Sequence, residues 1–159
     1  FLPLLPKHLR AKIAGTVALS MSDSIQHQVR AALQIGLKAE RNTELNEVKR
    51  LQEAAGKKNK AVTGVHDTLQ ALQEERILFL FYAEGFAPLG KECSSCNALF
   101  TTDARSTCGY CGSSLRNTED LLDAVVLKAL KSGARIELVR GEAAEQLRET
   151  EGIGAFLRY

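Results

Sequence analysis

A chain of 159 residues, 45% of them hydrophobic, can bury one good core and carry one small satellite module. No apolar run approaches the roughly 18 residues that a membrane span requires, and the opening Phe1-Leu2-Pro3-Leu4-Leu5-Pro6 is too short and proline-broken to serve as one. The net charge of only +2 conceals an uneven distribution, with 11 Lys and Arg against 5 Asp and Glu in residues 1–60, and 10 against 14 in residues 61–159.

In chain order, residues 11–19 read as a short strand after the proline-bearing lead, and Asp23 is placed to cap a helix. From Ser24 to about Ala55 the apolar positions Ile25, Val29, Leu33, Leu37, Leu45, Val48 and Leu51 recur at helical spacing, with a soft spot near Arg41-Asn42-Thr43. That pattern predicts one long helix or two in series, closed by the polar loop Gly56-Lys57-Lys58-Asn59-Lys60. After Gly64 a second helix is expected over 65–75, with Leu69 and Leu72 inward and Asp67 in its first turn. Ile77-Leu78-Phe79-Leu80-Phe81-Tyr82 is a continuous apolar run, expected to form a strand buried on both faces between layers of helices.

All four cysteines follow, as Cys93-Ser94-Ser95-Cys96 and Cys108-Gly109-Tyr110-Cys111. Two C-x2-C pairs supply four soft thiolates from two tight turns, the donor set of structural zinc. Disulfides confined to so short a stretch would staple almost nothing of this chain, and a redox pair needs one C-x2-C rather than two. Catalytic zinc usually keeps an open position beside His or carboxylate ligands, and His8, His27 and His66 are remote in sequence. Cys93, Cys96, Cys108 and Cys111 are therefore the expected ligands. Gly109 and Gly112 make the second turn the better formed on this reading.

Beyond the cysteines, Asn117 or Thr118 is expected to cap a helix with Glu119, Asp120 and Asp123 near its start, Lys128 and Lys131 in its last turn, and Gly133 as terminator. Residues 135–139 alternate as a strand, 142–150 form a helix, and 152–159 close as a strand entered through two glycines, which mark a tight turn and close packing. The alternation of helices with apolar strands predicts an α/β chain, a three-layer α/β/α sandwich with the zinc ribbon inserted between a strand and the following helix. No nucleophile elbow, phosphate-cradling glycine loop, dinucleotide fingerprint or zinc-protease motif is present, so no enzymatic site and no small-molecule substrate are expected. His66 and the stretch Glu74-Glu75-Arg76 read as ordinary helix-end residues. Lys49, Arg50, Lys57, Lys58 and Lys60 are candidate contacts to RNA phosphate, although the scarcity of aromatics gives little support for base stacking.

The stretch Gly64-Val65-His66-Asp67-Thr68-Leu69-Gln70-Ala71-Leu72, the apolar strand, the paired C-x2-C insertion, the helix and strand after it, and the terminal Gly-Ile-Gly-Ala-Phe-Leu-Arg-Tyr together resemble the C-terminal domain of archaeal and eukaryotic class-1 peptide chain release factors. The resemblance covers about residues 40–159, with 91–114 as the ribbon. It also extends to Pelota, a ribosome-rescue factor that typically lacks such a ribbon. It implies the fold of the kink-turn-binding ribosomal proteins. Those binders carry Gly, Asn, Glu and Lys where this chain has Gly64, His66, Asp67 and Gln70, so the fold carries over better than kink-turn recognition.

By the same resemblance, residues 1–39 are the tail of a preceding middle domain with its linking helix. The opening departs from the archaeal pattern, as in a divergent, bacterial member. The family's Gly-Gly-Gln tripeptide lies in the middle domain and does not occur in this chain. The chain also begins at Phe1 rather than methionine, which the reading takes as the mark of a longer protein. The implied role is a non-catalytic docking domain for the ribosome, with ribosomal RNA contact, and for a translational GTPase. The alternative is a ribosome rescue or hibernation factor that does not hydrolyse peptidyl-tRNA. Thiolates reserved for a metal, without a recognisable signal peptide, place it in the reducing cytoplasm.

Overall fold

The computed structural model describes residues 4–10, 12–20, 22–118 and 120–159. The chain separates into two compact units, residues 1–43 and residues 44–159. The first holds α1 (Lys7–Arg10) and the opening turns of α2 (Ile25–Gly56), whose remaining turns belong to the second. Residues 12–20 form no strand, against expectation; Ala11 lies outside the described residues. A strand needs a neighbour for its backbone groups, and among the described residues these have none. The helix cap also differs from expectation. Ser24 supplies it, its hydroxyl accepting the His27 N–H at 3.3 Å, while Asp23 accepts the Ser20 N–H at 2.7 Å and closes the preceding turn. The soft spot at 41–43 does not break α2, which is one helix of 32 residues.

The second unit is built on a four-stranded sheet in the order β1-β7-β2-β6, from β1 (Ala61–Thr63), β2 (Ile77–Ala83), β6 (Arg135–Val139) and β7 (Ile153–Leu157). β2 runs parallel to β6 and antiparallel to β7, which also pairs antiparallel with β1. The short strand β1 escapes sequence reading because three residues are too few to show a period.

One face carries the core of Leu69, Leu72, Leu80, Leu121, Val125 and Ile153, under α3 (Val65–Gln73) and α4 (Leu121–Lys131). The other carries Val48, Leu51, Phe81, Val139, Ala144 and Leu147, under the end of α2 and α5 (Gly141–Arg148). This is the expected three-layer sandwich. β2 serves both cores, as its unbroken apolar run predicts, but Leu78 is 49% exposed. The register shifts between Ile77 and Phe79, so Leu78 stands at an irregularity in the ladder.

Two corrections concern α4 and its approach. Asn117 and Thr118 belong to β5 (Leu115–Thr118), and the N-cap position falls to Asp120, whose backbone N–H is accepted by the Thr118 hydroxyl at 3.3 Å. Glu119 lies outside the described residues. At the far end Gly133 takes φ 73°, and the Ala134 N–H reaches back to the Ala129 carbonyl at 3.0 Å, closing the helix as expected.

The terminal glycines are needed for packing. A Cβ on Gly154 would stand 2.9 Å from the Val62 carbonyl oxygen and 3.0 Å from Leu51 Cδ2. Gly154→Ala is therefore expected to lower stability by about 1–3 kcal/mol, through overpacking between β1 and α2. Gly36→Ala meets nothing within 4 Å in the interior of α2 and should stabilise that helix by about 0.5–1 kcal/mol. Urea unfolding of both variants checks the pair, and equal midpoints would refute the packing account.

Candidate metal centre and basic loop

Between β2 and α4 the chain makes a second, three-stranded antiparallel sheet in the order β4-β3-β5, from β3 (Gly90–Cys93), β4 (Leu99–Thr101) and β5. Cys93 ends β3, and the turn to β4 carries Cys96. Cys108 and Cys111 lie in the turn that leads to β5.

The two turns are built alike. Cys93 N–H donates to Ala98 O and Cys108 N–H to Ser113 O, each at 2.8 Å. The residue after each second cysteine is left-handed, Asn97 at φ 54° and Gly112 at φ 76°. The expected advantage of the second turn does not hold, because Asn tolerates the left-handed position and Gly109 neither needs positive φ nor lies against a neighbour. Backbone N–H groups point at the sulfurs in both: Ser95 and Cys96 donate to Cys93 Sγ at 3.5 Å, and Tyr110 donates to Cys108 Sγ at 3.4 Å.

All four sulfurs lie within 4.8 Å of one another, with Cys93 and Cys111 at 3.4 Å and Cys96 and Cys108 at 3.6 Å. Thiolates placed tetrahedrally at roughly 2.3 Å from one ion would stand about 3.8 Å apart, so the cluster can hold a metal ion. Cys93 and Cys108 are buried and Cys96 and Cys111 face solvent. Hydrogen bonds from Cys96 and Ser95 N–H hold the Cys93 thiol below its ordinary range. The Ser113 side chain and backbone hold Cys111 at about 6. The Ala98 N–H favours the Cys96 thiolate, but burial and the three facing sulfurs outweigh it and push Cys96 up to about 12. A cation between the four sulfurs would favour the thiolate at each, so the donor set fits a metal ion.

The ribbon is seated on the sandwich. Its own small core is Cys93, Ala98 and Cys108 with Phe100 and Leu115, while Leu99 belongs to the core beneath α3 and α4. A Cβ on Gly90 would stand 2.5 Å from the Phe100 carbonyl and 2.6 Å from Leu121 Cδ2, so β3 passes α4 in close contact. Arg116 on β5 pairs with Glu92 on β3 at 2.9 Å, directly across the ladder.

The five candidate basic residues lie on two elements, α2 and the loop that follows it. Lys49 and Arg50 are exposed on α2, and Arg50 is paired with Glu47 at 2.7 Å. Lys57, Lys58 and Lys60 are exposed in the loop after α2, where Lys58 and Lys60 both hold φ 51°. Of the five, Lys58 and Lys60 line a common groove. Two further residues of that groove, Arg76 and Tyr159, carry no sequence signal linking them to the loop, since only the pairing of β1 with β7 and of β7 with β2 brings them there.

No protein-family model matches the chain, and no curated protein does. Solved structures do match it. The C-terminal domain of a peptide chain release factor from Methanosarcina mazei superposes with TM-score 0.57 at 22% identity, covering 89% of this chain and 98% of that one. Pelota from Archaeoglobus fulgidus superposes with TM-score 0.60 at 17% identity, covering 91% of this chain and 38% of that one. The chain has the release-factor C-terminal fold. It spans little more than a third of Pelota.

Thiol reactivity should follow the electrostatics. In metal-free, reduced protein near pH 7, above the value of about 6 held by Cys111, iodoacetamide is expected to modify exposed Cys111 first. Cys96, equally exposed but raised to about 12, should react far more slowly. Peptide mapping after partial alkylation reads the order, and preferential labelling of Cys96 would contradict the assignment.

Proposed function

We propose that this chain is a non-catalytic docking domain of a release-factor-like translation protein, carrying one structural zinc and binding the ribosome, a translational GTPase or both. The observation that carries the reading is the fold shared with the release-factor domain over 98% of that domain's length. Cys93, Cys96, Cys108 and Cys111 would hold the zinc, whose role would be to tie the two turns of the ribbon together. Lys49, Arg50, Lys57, Lys58 and Lys60 are the proposed contacts to ribosomal RNA. Residues 1–39 would be the tail of a preceding domain with its linking helix, and the exposed stripe of Ile25, Val29, Leu33 and Leu37 on α2 supports this by offering that domain an apolar face.

A cytoplasmic setting suits thiolates kept for a metal. No helix of the described residues is long and apolar enough to cross a membrane. The likeness to Pelota supports a second reading, a rescue or hibernation factor without peptidyl-tRNA hydrolysis. Assaying the full-length protein for peptide release on stalled and on stop-codon ribosomes separates the two.

The reduced protein should contain about one zinc per chain by elemental analysis, and Cys93→Ser should lose it. Chelation should raise amide exchange in residues 90–118 well before Leu80 and Phe81. Well under one zinc per chain, together with an unchanged melting curve for Cys93→Ser, would remove the metal from this proposal.

Docking is tested by co-sedimentation with purified ribosomes. Binding should weaken with salt and fall on changing Lys57 and Lys58 to Glu. No sedimentation in any ribosome state would leave only the fold.

A further inference from the structure

The groove beside β1 joins two loop lysines to an aromatic ring. It measures about 540 Å³, within the range that holds small ligands, and its lining includes Lys58, Lys60, Arg76 and Tyr159, with Asp67 as the acidic member. Backbone bonds fix its two sides. Leu157 N–H donates to Lys60 O at 2.7 Å and Arg158 N–H donates to Arg76 O at 2.8 Å, so the lysine loop and the root of Tyr159 are tied to the same strand ends. Arg76 pairs with Glu74 at 2.7 Å, reaches the Tyr159 carbonyl at 3.4 Å, and holds its guanidinium 5.8 Å from the centre of the Tyr159 ring. Its Nε is buried and has no hydrogen-bond partner among the described residues. Tyr159 is 67% exposed, so its ring is presented to solvent with a cation beside it.

Two lysines next to an open aromatic surface match the two halves of a nucleotide, a phosphate and a flat base. We infer that this groove binds single-stranded RNA, with a phosphate between Lys58 and Lys60 and a base stacked on Tyr159. Every base has a π-face, so stacking on one ring makes the site tolerant of sequence. Arg76 lies beside the ring, its charge shared with Glu74. An acidic extended peptide could use the same lysines and the free edge of β1, but it would leave the open Tyr159 ring without a purpose, and the ring decides for RNA. The choice of RNA as the nucleic acid rests on the translation reading above; the groove itself does not.

The test uses the whole chain and a fluorescein-labelled oligoadenylate of roughly eight nucleotides, followed by anisotropy at several salt concentrations. Tyr159→Ala should weaken binding about tenfold and Tyr159→Phe should restore it, since stacking needs the ring and not the hydroxyl. Lys58→Gln and Lys60→Gln should each reduce the slope of log affinity against log salt by roughly 0.7, whereas Lys131→Gln, exposed on α4 and outside the groove, should leave affinity unchanged. Melting curves of the variants confirm that each is folded.

Equal affinity of Tyr159→Ala and the parent would overturn the stacking site. So would failure to bind the oligonucleotide at about 0.1 mM in low salt, or displacement of bound RNA by an alternating Glu-Val peptide whose own binding ignores Tyr159→Ala. Oligonucleotide binding without ribosome co-sedimentation would keep the groove and sink the translation reading, and the reverse result would do the opposite.

Discussion

The structure depends on β2 and its two unlike partners, β6 alongside it and β7 against it. A strand in the middle of a sheet must bury both faces, and β2 does so by sending Leu80 and Tyr82 to the core under α3 and α4, and Phe79, Phe81 and Ala83 to the core under α2 and α5. Ile77 and Phe79 are two apart yet join opposite cores, which strict alternation forbids. The register shift at Leu78 permits it. Each fully buried Leu, Ile or Phe on this strand contributes about 1.5–3 kcal/mol through removal from water. Because both helical layers pack on this strand, the ribbon and the lysine loop are held wherever its two ends put them.

The ribbon leaves the carboxyl end of β2 and returns at α4, and its dependence on the sandwich is local. Leu99 enters the main core and Gly90 lets β3 pass α4, while the sulfurs themselves sit in a core of only a few side chains. Such a small core cannot order a 29-residue excursion from Gly90 to Thr118 without another source of stability. Four thiolates around one cation would supply that source, since metal affinity in a site absent from the unfolded chain becomes folding free energy. The sandwich has its own cores, so order in the ribbon and order in the sheet are separable, joined mainly through Leu99.

Much of this was legible in the sequence, and the reason differs by element. α2, α3, α4, α5 and the apolar run of β2 have strong periods or unmistakable lengths, and the C-x2-C pairs have a spacing few other chemistries share. What was missed is short or depends on distant partners. β1 has three residues and exists because β7 pairs with it, whereas residues 12–20 have strand-like composition and no partner, so they form no strand. Asn117 and Thr118 look like helix caps in isolation, but pairing of Asn117 with Lys91 and of Thr118 with Gly90 recruits them to β5. The equivalence of the two cysteine turns was hidden because Asn97 takes a left-handed conformation more often assigned to glycine.

The basic residues show the same limit from the side of function. Counting charge along the chain grouped Lys49 and Arg50 with Lys57, Lys58 and Lys60, and the fold sets them on two elements, α2 and the loop after it. Arg50 pairs with Glu47 at the surface of α2, and neither it nor Lys49 lines the groove. Convergence comes from topology. The start of β1, the start of β2 and the end of β7 lie at one end of the sheet because β7 is antiparallel to both neighbours, and that end collects Lys60, Arg76 and Tyr159. The ribbon departs from the other end of β2. It then folds back along α3, where Tyr110 of the second cysteine turn shares a cleft with Gln73, and the neighbouring Glu74 pairs with Arg76 of the groove.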